Sequence, residues 1–296
     1  MRTFETVISE QWDQCTVEKV LRRELGLSAT RIKRAKFRPD GILLDGKRVN
    51  TVQRVSAGQV LQLNLPELEE SDFVPTAGEV AIAYEDQWLM VIDKPAGLAM
   101  YPGPGHYADT LGNRFVWLMQ QRGEQCAFRP VNRLDIGTSG LLVAAKSADA
   151  HEALQKILHT DAFQRTYWAL TEHAPQSEQG VIDAPIAPIA GELNRYTVVA
   201  DGKPAQTEYQ VLRKGTAATL VQLRLFTGRT HQIRVHMAHI GCPLLGDALY
   251  GGGDGLSRPA LHSKFLRLRH PFTGEWLELE SATPADFRSF LEENCP

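Results

Sequence analysis

From Glu79 onward the chain runs through short apolar stretches, VAIAY, WLMVID, GLLVAAK, TYWAL, AQTEYQVL, TLVQLRLF and EWLELE, which read as strands. Helical spacing of apolar residues appears only at 149–159, 229–240 and 284–293. Strand runs without regular helix alternation predict an α+β fold with a mixed, mostly antiparallel sheet. Ahead of Glu79 the pattern differs. Val17, Val20, Leu21 and Leu25 recur near helical spacing, with Gly26 as a helix stop and Ser28 suited to cap a second helix, ATRIKRAKF. GILLDGKRV follows as a short strand turning at Asp45-Gly46, and GQVLQLNL then alternates Val60, Gln62 and Asn64 against Leu61, Leu63 and Leu65. The first residues, MRTFETVISEQWDQ, also alternate and carry acids, without the apolar run of a secretory signal.

Charge sharpens the division. Residues 16 to 54 hold eleven Lys or Arg against four Asp or Glu, a local excess of +7, although the whole chain of 296 residues has a net charge of −3. Residues 55 to 93 then hold no Lys or Arg and eight acids, and LPELEESDFVPTAG has the Pro, Gly and charge content of a linker. The expected organisation is a basic domain over 1–65, an acidic linker over 66–78 and a larger domain over 79–296, in line with the length. Two helices followed by a small hairpin resemble the alpha-L type of RNA-binding domain first known from a small-subunit ribosomal protein. Arg31, Lys33, Arg34 and Lys36 on the second helix are its candidate RNA contacts. No apolar run approaches the length of a membrane span. The four cysteines are scattered, with no CxxC pair, which suits a reducing, cytoplasmic setting and no zinc site.

One stretch stands out for chemistry. Between Glu124 and Asp149 the only carboxylate is Asp135, within RPVNRLDIGTSGLLVAAK. An aspartate before glycine commonly just caps a turn. Here the adjoining LLVAA reads as a buried strand, so an acid at its edge loses water and needs a cation from elsewhere in the chain. FTGRTHQIRVHMAHIGCPLLGDALYG offers Arg229 and Arg234, on a helix beginning near Thr230 that can aim an arginine into a cleft. Its His231, His236 and His239 are five and three residues apart, do not match HExxH, and do not predict a metal site. FQRTYWAL adds Tyr167, which alone reads as ordinary strand packing.

Competing chemistries fail on spacing. Ser139 in GTSG lacks the GxSxG elbow of a hydrolase, since Leu141 stands where glycine is needed. An aspartic protease needs two carboxylates sharing a proton, and only one acid is present here. The glycine clusters at 103–105 and 251–255 lack the spacing of a phosphate-binding fingerprint.

NRLDIGTSGLLV, RTYWAL, DGKPAQTEY, TGRTHQIRVHMAHIGCPLLGDALYG and RPALHSKF followed by HPFTGE resemble, in order and spacing, the RluA family of RNA pseudouridine synthases, from about Glu79 to about Phe287. The resemblance implies a pseudouridine synthase fold and an isomerase that detaches uracil from its ribose, turns it and rejoins it through carbon 5. No cofactor or metal is needed for such a step. It further implies Asp135 as the catalytic carboxylate, acting either on the anomeric carbon or on the 2′ proton, Tyr167 facing the target base, and Arg234 paired with Asp135. Arg133, Thr138, Arg229 and His231 are candidate substrate contacts in the same motifs. Asn132 and Tyr101 stand where the family commonly has histidine and bear on substrate contacts, and Arg165 replaces a more common lysine. The expected partner is RNA, either large-subunit ribosomal RNA or transfer RNA, with no membrane. The alternative from another class is an RNA-binding assembly protein without turnover.

Overall fold

The computed structural model describes residues 2–25, 27, 29–65, 71, 73–124 and 126–294, which fall into two compact units, Met1–Glu70 and Ser71–Pro296. The expected helix stop Gly26, the cap Ser28, Cys295, and residues 66–70 and 72 of the expected linker lie outside the described residues, as do the side chains of Arg31 and Arg34.

In the first unit β1 (Arg2–Val7), β2 (Ile42–Leu44), β3 (Lys47–Arg48) and β4 (Val60–Leu65) form an antiparallel sheet in the order β1-β4-β2-β3. Two helices, α1 (Val17–Arg23) and α2 (Ala29–Lys36), accompany it. Thr16 starts α1 by accepting a hydrogen bond from the Lys19 amide. Val17, Val20 and Leu21 of α1, Ile32 and Ala35 of α2, and Leu61 and Leu63 of β4 share one apolar core. Leu44 faces Lys47 across a two-residue turn, with Asp45 at φ 49° and Gly46 at φ 75°, the left-handed pair that a tight hairpin requires. The sequence pattern did not mark β1 as a strand. It lies at the edge of the sheet, where half-burial leaves a weak alternation, and its pairing with β4 is what defines it.

The second unit is built on nine strands: β5 (Ile82–Glu85), β6 (Leu89–Lys94), β7 (Ser139–Ala145), β8 (Phe163–Thr171), β9 (Gln179–Asp183), β12 (Gln206–Lys214), β13 (Thr219–Leu225), β14 (Leu261–Arg269) and β15 (Trp276–Glu280). Their order is β5-β6-β7-β14-β8-β13-β12-β9, with β15 also on β14, and β7–β14 is the parallel pair in an otherwise antiparallel sheet. A separate two-stranded ribbon joins β10 (Ile186–Pro188) to β11 (Tyr196–Val198). The helices are α3 (Leu111–Gln121), α4 (Ala148–Ile157), α5 (Gln232–His239) and α6 (Ala285–Asn294). The α+β class with a mostly antiparallel sheet is therefore the observed one.

β6 and β7 read as unbroken apolar runs because both of their faces are covered. Met90, Ile92, Leu142 and Ala144 join Leu111 and Phe115 of α3 and Met237 of α5 on one face. Leu89, Val91, Leu141 and Val143 join Ala150 and Leu154 of α4 on the other. The sequence pattern did not mark α3, β9, β10, β11 or β14. The start of α3 is marked by a reciprocal cap between Thr110 and Asn113, a pairing in which asparagine replaces the usual Glu or Gln. β14 is camouflaged by polar residues, since His262, Ser263 and Lys264 are all buried near its start. Residues 73–76, placed in the linker by the sequence, fall within the second unit, with the Phe73 ring against Tyr101 and Phe128 and the Thr76 amide donating to the Asn113 carbonyl. Among the described residues no helix is long and apolar enough to cross a membrane.

The parallel pair explains the glycine of GTSG. Gly140 sits at φ 103°, and a Cβ there would lie 2.2 Å from the Ser263 carbonyl oxygen. Both the backbone conformation and the close approach of β14 exclude a side chain. Gly140→Ala is expected to destabilise the second unit by at least about 2 kcal/mol, from strain and clash together. Urea unfolding of the full chain measures this, and a loss below about 0.5 kcal/mol contradicts it.

Candidate active site

Asp135 lies in the loop that enters β7, and that loop is pinned at successive points. The Val131 amide donates to the Val143 carbonyl at 2.7 Å, and the Asn132 side-chain oxygen accepts from the Val143 amide at 3.0 Å. Asn132 is thus buried, with its oxygen on the backbone of β7 and its Nδ2 without a hydrogen-bond partner among the described residues. The Ile136 carbonyl accepts from the Gly97 amide at 2.8 Å and from the Lys94 ammonium at 3.2 Å. The Gly137 carbonyl accepts from Arg258, itself held by two hydrogen bonds to Asp286. The turn at Gly137 and Thr138 exists, but it is closed by the Asp135 main-chain carbonyl, which accepts from the Thr138 amide at 3.1 Å. The Asp135 carboxylate is turned elsewhere.

Its neighbours are cationic or aromatic. Arg234 Nη1 lies 3.6 Å from Asp135 Oδ2, and His231 Nε2 lies 4.0 Å from the same oxygen. Of the two arginines the sequence offered, Arg229 is exposed and donates to the Pro204 carbonyl, whereas Arg234 is buried and reaches the acid. Arg234 has a stronger partner, however. Its Nε and Nη2 each donate at 2.7 Å to the two oxygens of Asp247, which is 1% exposed. Burial alone depresses the guanidinium's proton affinity, but the Asp247 bonds and charge, with Asp135 behind them, leave its pKa above the ordinary value. The Tyr250 ring lies 5.0 Å beneath the guanidinium carbon, and its hydroxyl meets His231 Nδ1 at 2.9 Å. Burial pulls the His231 imidazole down in pKa, against the opposing pull of Asp135.

Lys94 is 1% exposed. Its ammonium donates to the carbonyls of Pro95, Leu98 and Ile136, so all three donors are used. Burial drags its pKa to about 7, with Asp135 opposing and Arg258 adding to the fall.

Asp135 opens onto a cleft of about 780 Å³ lined also by Tyr101, Arg133, Arg165, Tyr167, Arg229 and His231. A smaller recess continues beneath it past Thr138 and Arg234. Tyr167, on β8, is 3% exposed rather than half-buried. Burial raises its phenol pKa, with Arg165 and a hydrogen bond to Ser263 working the other way, so the hydroxyl carries its proton at neutral pH. The fold therefore gathers Asp135, Tyr167, Arg234, Arg133, Thr138, Arg229 and His231 around one cavity. Lys33 and Lys36 are exposed and, with Arg31 and Arg34, belong to the other unit.

Other candidates take ordinary roles. Ser139 and His262 are in contact at 3.0 Å, but both are buried and the imidazole is pushed to about 4 by burial and Lys264, so the pair is a tie between β7 and β14. His236 has both ring nitrogens engaged, with Thr207 and with the Ala184 carbonyl. Sequence reasoning missed Lys94, Asp247 and Tyr250. Each had a signal: a lysine ending the apolar run WLMVIDK, and an acid and a tyrosine in GDALYG, close in sequence to the arginine they serve.

Comparison with known proteins bears on the family. Residues 88–239 match the family model described as RNA pseudouridylate synthase. The chain is similar to a Bacillus subtilis (strain 168) protein named uncharacterized RNA pseudouridine synthase YhcT, with 40% identity over 238 residues and 79% of each chain covered. It is also 38% identical over 264 residues to the ribosomal large subunit pseudouridine synthase D of Pseudomonas aeruginosa, covering 84% of this chain and 82% of that one. Among solved structures, the human RNA pseudouridylate synthase domain containing 1 superposes with a TM-score of 0.60 at 25% identity, over 74% of this chain and 89% of that one.

The Arg234–Asp247 pair carries a stability test. Asp247→Asn keeps the shape and removes one of two charges that are both out of water, so it is expected to cost about 3–5 kcal/mol in urea unfolding. Replacing both partners, in Arg234→Met/Asp247→Leu, is expected to recover most of that loss because no charge is then left alone. A double variant no more stable than Asp247→Asn contradicts the account.

Proposed function

The chain belongs to the RNA pseudouridylate synthase family, in its RluA branch, and from that premise we propose that Asp135 carries the isomerisation of uridine to pseudouridine in large-subunit ribosomal RNA. The observation that carries the reading is a single carboxylate on the wall of a 780 Å³ cleft, within 3.6 Å of a buried arginine and sharing the cavity with a buried tyrosine. Ribosomal RNA as the substrate is supported by relatives from several organisms that bear the name ribosomal large subunit pseudouridine synthase D.

The chemistry follows from the geometry. A uridine inside a folded RNA cannot reach a carboxylate recessed in a cleft, so it must be flipped out, at a cost of a few kcal/mol. Arg133, exposed on the cleft wall and touching Thr230 at 3.5 Å, fills the gap in the stack. The extruded uracil stacks on Tyr167, a contact worth about 1–3 kcal/mol. Asp135 then acts at the sugar, either bonding to the anomeric carbon or removing the 2′ proton. Arg234 orients it while Asp247 holds Arg234. The Tyr167 hydroxyl, protonated at rest, relays the carbon-5 proton rather than starting as a free base. Thr138, Arg229 and His231 line the recess around the acid and contact the flipped nucleotide.

The basic unit supplies affinity. Its alpha-L type assignment is supported by two helices on a small sheet and by the exposed Lys33 and Lys36 on α2. Its domain role over 1–65, and a reducing cytoplasmic setting for the thiols, Cys15, Cys126 and Cys242 among the described residues, belong to the same proposal.

Two experiments test it. Asp135→Asn is nearly isosteric, so gel-shift affinity for ribosomal RNA is expected to stay within a small factor of wild type while no pseudouridine forms even with enzyme in excess. Comparable product from a correctly folded Asp135→Asn sinks the assignment. Lys33→Gln/Lys36→Gln is expected to weaken binding and to reduce the slope of log K against log salt by roughly 0.7 for each lost single-strand phosphate contact. Its single-turnover rate at saturating enzyme should not change. An unaltered salt slope removes α2 from the RNA surface.

A further inference from the structure

The cleft contains a second buried cation that has no acid to balance it. Arg165 lies on β8 two residues before Tyr167, is 4% exposed, and lines the same cavity as Tyr167 and Asp135. Its Nε and Nη2 are buried and have no hydrogen-bond partner among the described residues. Its charge falls on Tyr167 and on His159, whose imidazole burial holds below its ordinary pKa. Nε and Nη2 form one edge of the guanidinium, two parallel donors that match a pair of neighbouring acceptors. Among the described residues this chain uses that edge three times for gripping carboxylates, Arg114 on Asp109, Arg234 on Asp247 and Arg258 on Asp286. At Arg165 the same edge faces no carboxylate among the described residues. A buried guanidinium left this way is destabilising, and a fold that keeps one has a use for it during the reaction.

The reaction moves a negative charge. When the bond between the anomeric carbon and N1 breaks, its electron pair leaves with the base. If Asp135 attacks that carbon, a carbon–oxygen bond forms as the carbon–nitrogen bond breaks, and the carboxylate's charge ends on uracil. If Asp135 instead takes the 2′ proton, the freed electron pair becomes a double bond within the sugar, Asp135 is left neutral, and the charge again ends on uracil. No oxidant or further reactant enters either route. The charge therefore travels from the acid beside Arg234 to a base stacked on Tyr167. Successive residues on one face of a strand are about 6.6 Å apart, comparable with the width of a pyrimidine, so a base on Tyr167 has an edge near Arg165.

We propose that Arg165 is a catalytic residue that stabilises the departing uracil anion, its unpaired Nε–Nη2 edge donating to N1 and O2 of the base. These two acceptors are neighbours, as carboxylate oxygens are. Carbon 5 lies across the ring from carbon 2, so a base held at this edge leaves carbon 5 free to meet the sugar. The inference rests on Asp135 as the acting carboxylate.

The test compares single-turnover cleavage of the N1 bond in two transcripts of large-subunit ribosomal RNA, one made with uridine and one with 5-fluorouridine. Fluorine makes the base a better leaving anion, with less need of a cation; because it blocks the final proton loss, the readout is disappearance of the intact nucleoside at the modified site. Arg165→Met is expected to bind RNA as wild type does and to cleave the uridine transcript about 10²–10³-fold more slowly, the scale of removing one donor to a developing anion. On the fluorinated transcript the deficit should shrink at least tenfold. Its thermal melt should be no lower than wild type, since an unpaired buried charge has gone. Arg165→Lys, which keeps the charge without the fork, should fall between the two and carries the comparison alone if Arg165→Met does not fold. Equal deficits on both transcripts, or a loss confined to affinity as a phosphate contact gives, overturn the proposal. Asp135→Asn, measured beside them, separates the two claims: activity in that variant overturns the carboxylate assignment, whereas an inactive Asp135→Asn with substrate-independent Arg165 defects overturns only the role of Arg165.

Discussion

Arg234 is held by Asp247 before it serves Asp135, and much of the second unit is arranged around that division. A guanidinium buried to this depth needs an anion close by. Asp247, 1% exposed, takes the Nε–Nη2 edge at 2.7 Å twice over and leaves Nη1 to approach Asp135 at 3.6 Å. The structural carboxylate absorbs most of the electrostatic burden, and the half-buried one keeps a looser contact that a substrate can compete with. Three segments must meet for this to work: α5 brings Arg234, the loop after it brings Asp247 and Tyr250, and the entry to β7 brings Asp135. The Tyr250 hydroxyl, shared with His231 and the Tyr196 amide, ties the arrangement to the β10–β11 ribbon.

The entry loop is the second half of the arrangement. A catalytic group on a loop is imprecise unless its backbone is fixed. Here two cations that never face the substrate do the fixing, Lys94 on the Ile136 carbonyl and Arg258 on the Gly137 carbonyl. Asn132 closes the other end on Val143. A residue that departs from the common family pattern is thus part of the backbone frame, and its reach toward substrate is limited by that bond. The parallel contact of β7 with β14, possible only because Gly140 lacks a side chain, sets where the loop leaves the sheet.

Seen as a set, the little-exposed cations around the Asp135 loop and its cleft differ in what balances them. Arg234 has a buried acid, Lys94 has three carbonyls, and Arg258 has Asp286. Arg165 has none of these among the described residues. A site that keeps a buried guanidinium without a counter-charge is preorganised for the moment when charge arrives there, which is the form electrostatic catalysis takes in a water-poor cleft.

The sequence by itself determined the class and the cast. Seven apolar runs are strands, three helical stretches are α4, α5 and α6, and the lone acid between Glu124 and Asp149 lines the cleft with Tyr167 and Arg234. These are legible because burial on one or both faces writes a period into neighbouring residues, and because an acid in an apolar setting is conspicuous. β1, β9, β10, β11 and β14 were not legible as strands, β1 because an edge strand is only half buried, β14 because the buried positions near its start are polar. The same reason governs the site. Which arginine reaches Asp135 is set by a distance between residues about a hundred positions apart, and which acid restrains that arginine and which cation is left unpaired are likewise set by packing. A residue's type says what it can bond to; only the packed tertiary structure decides which partners come within reach, and which do not.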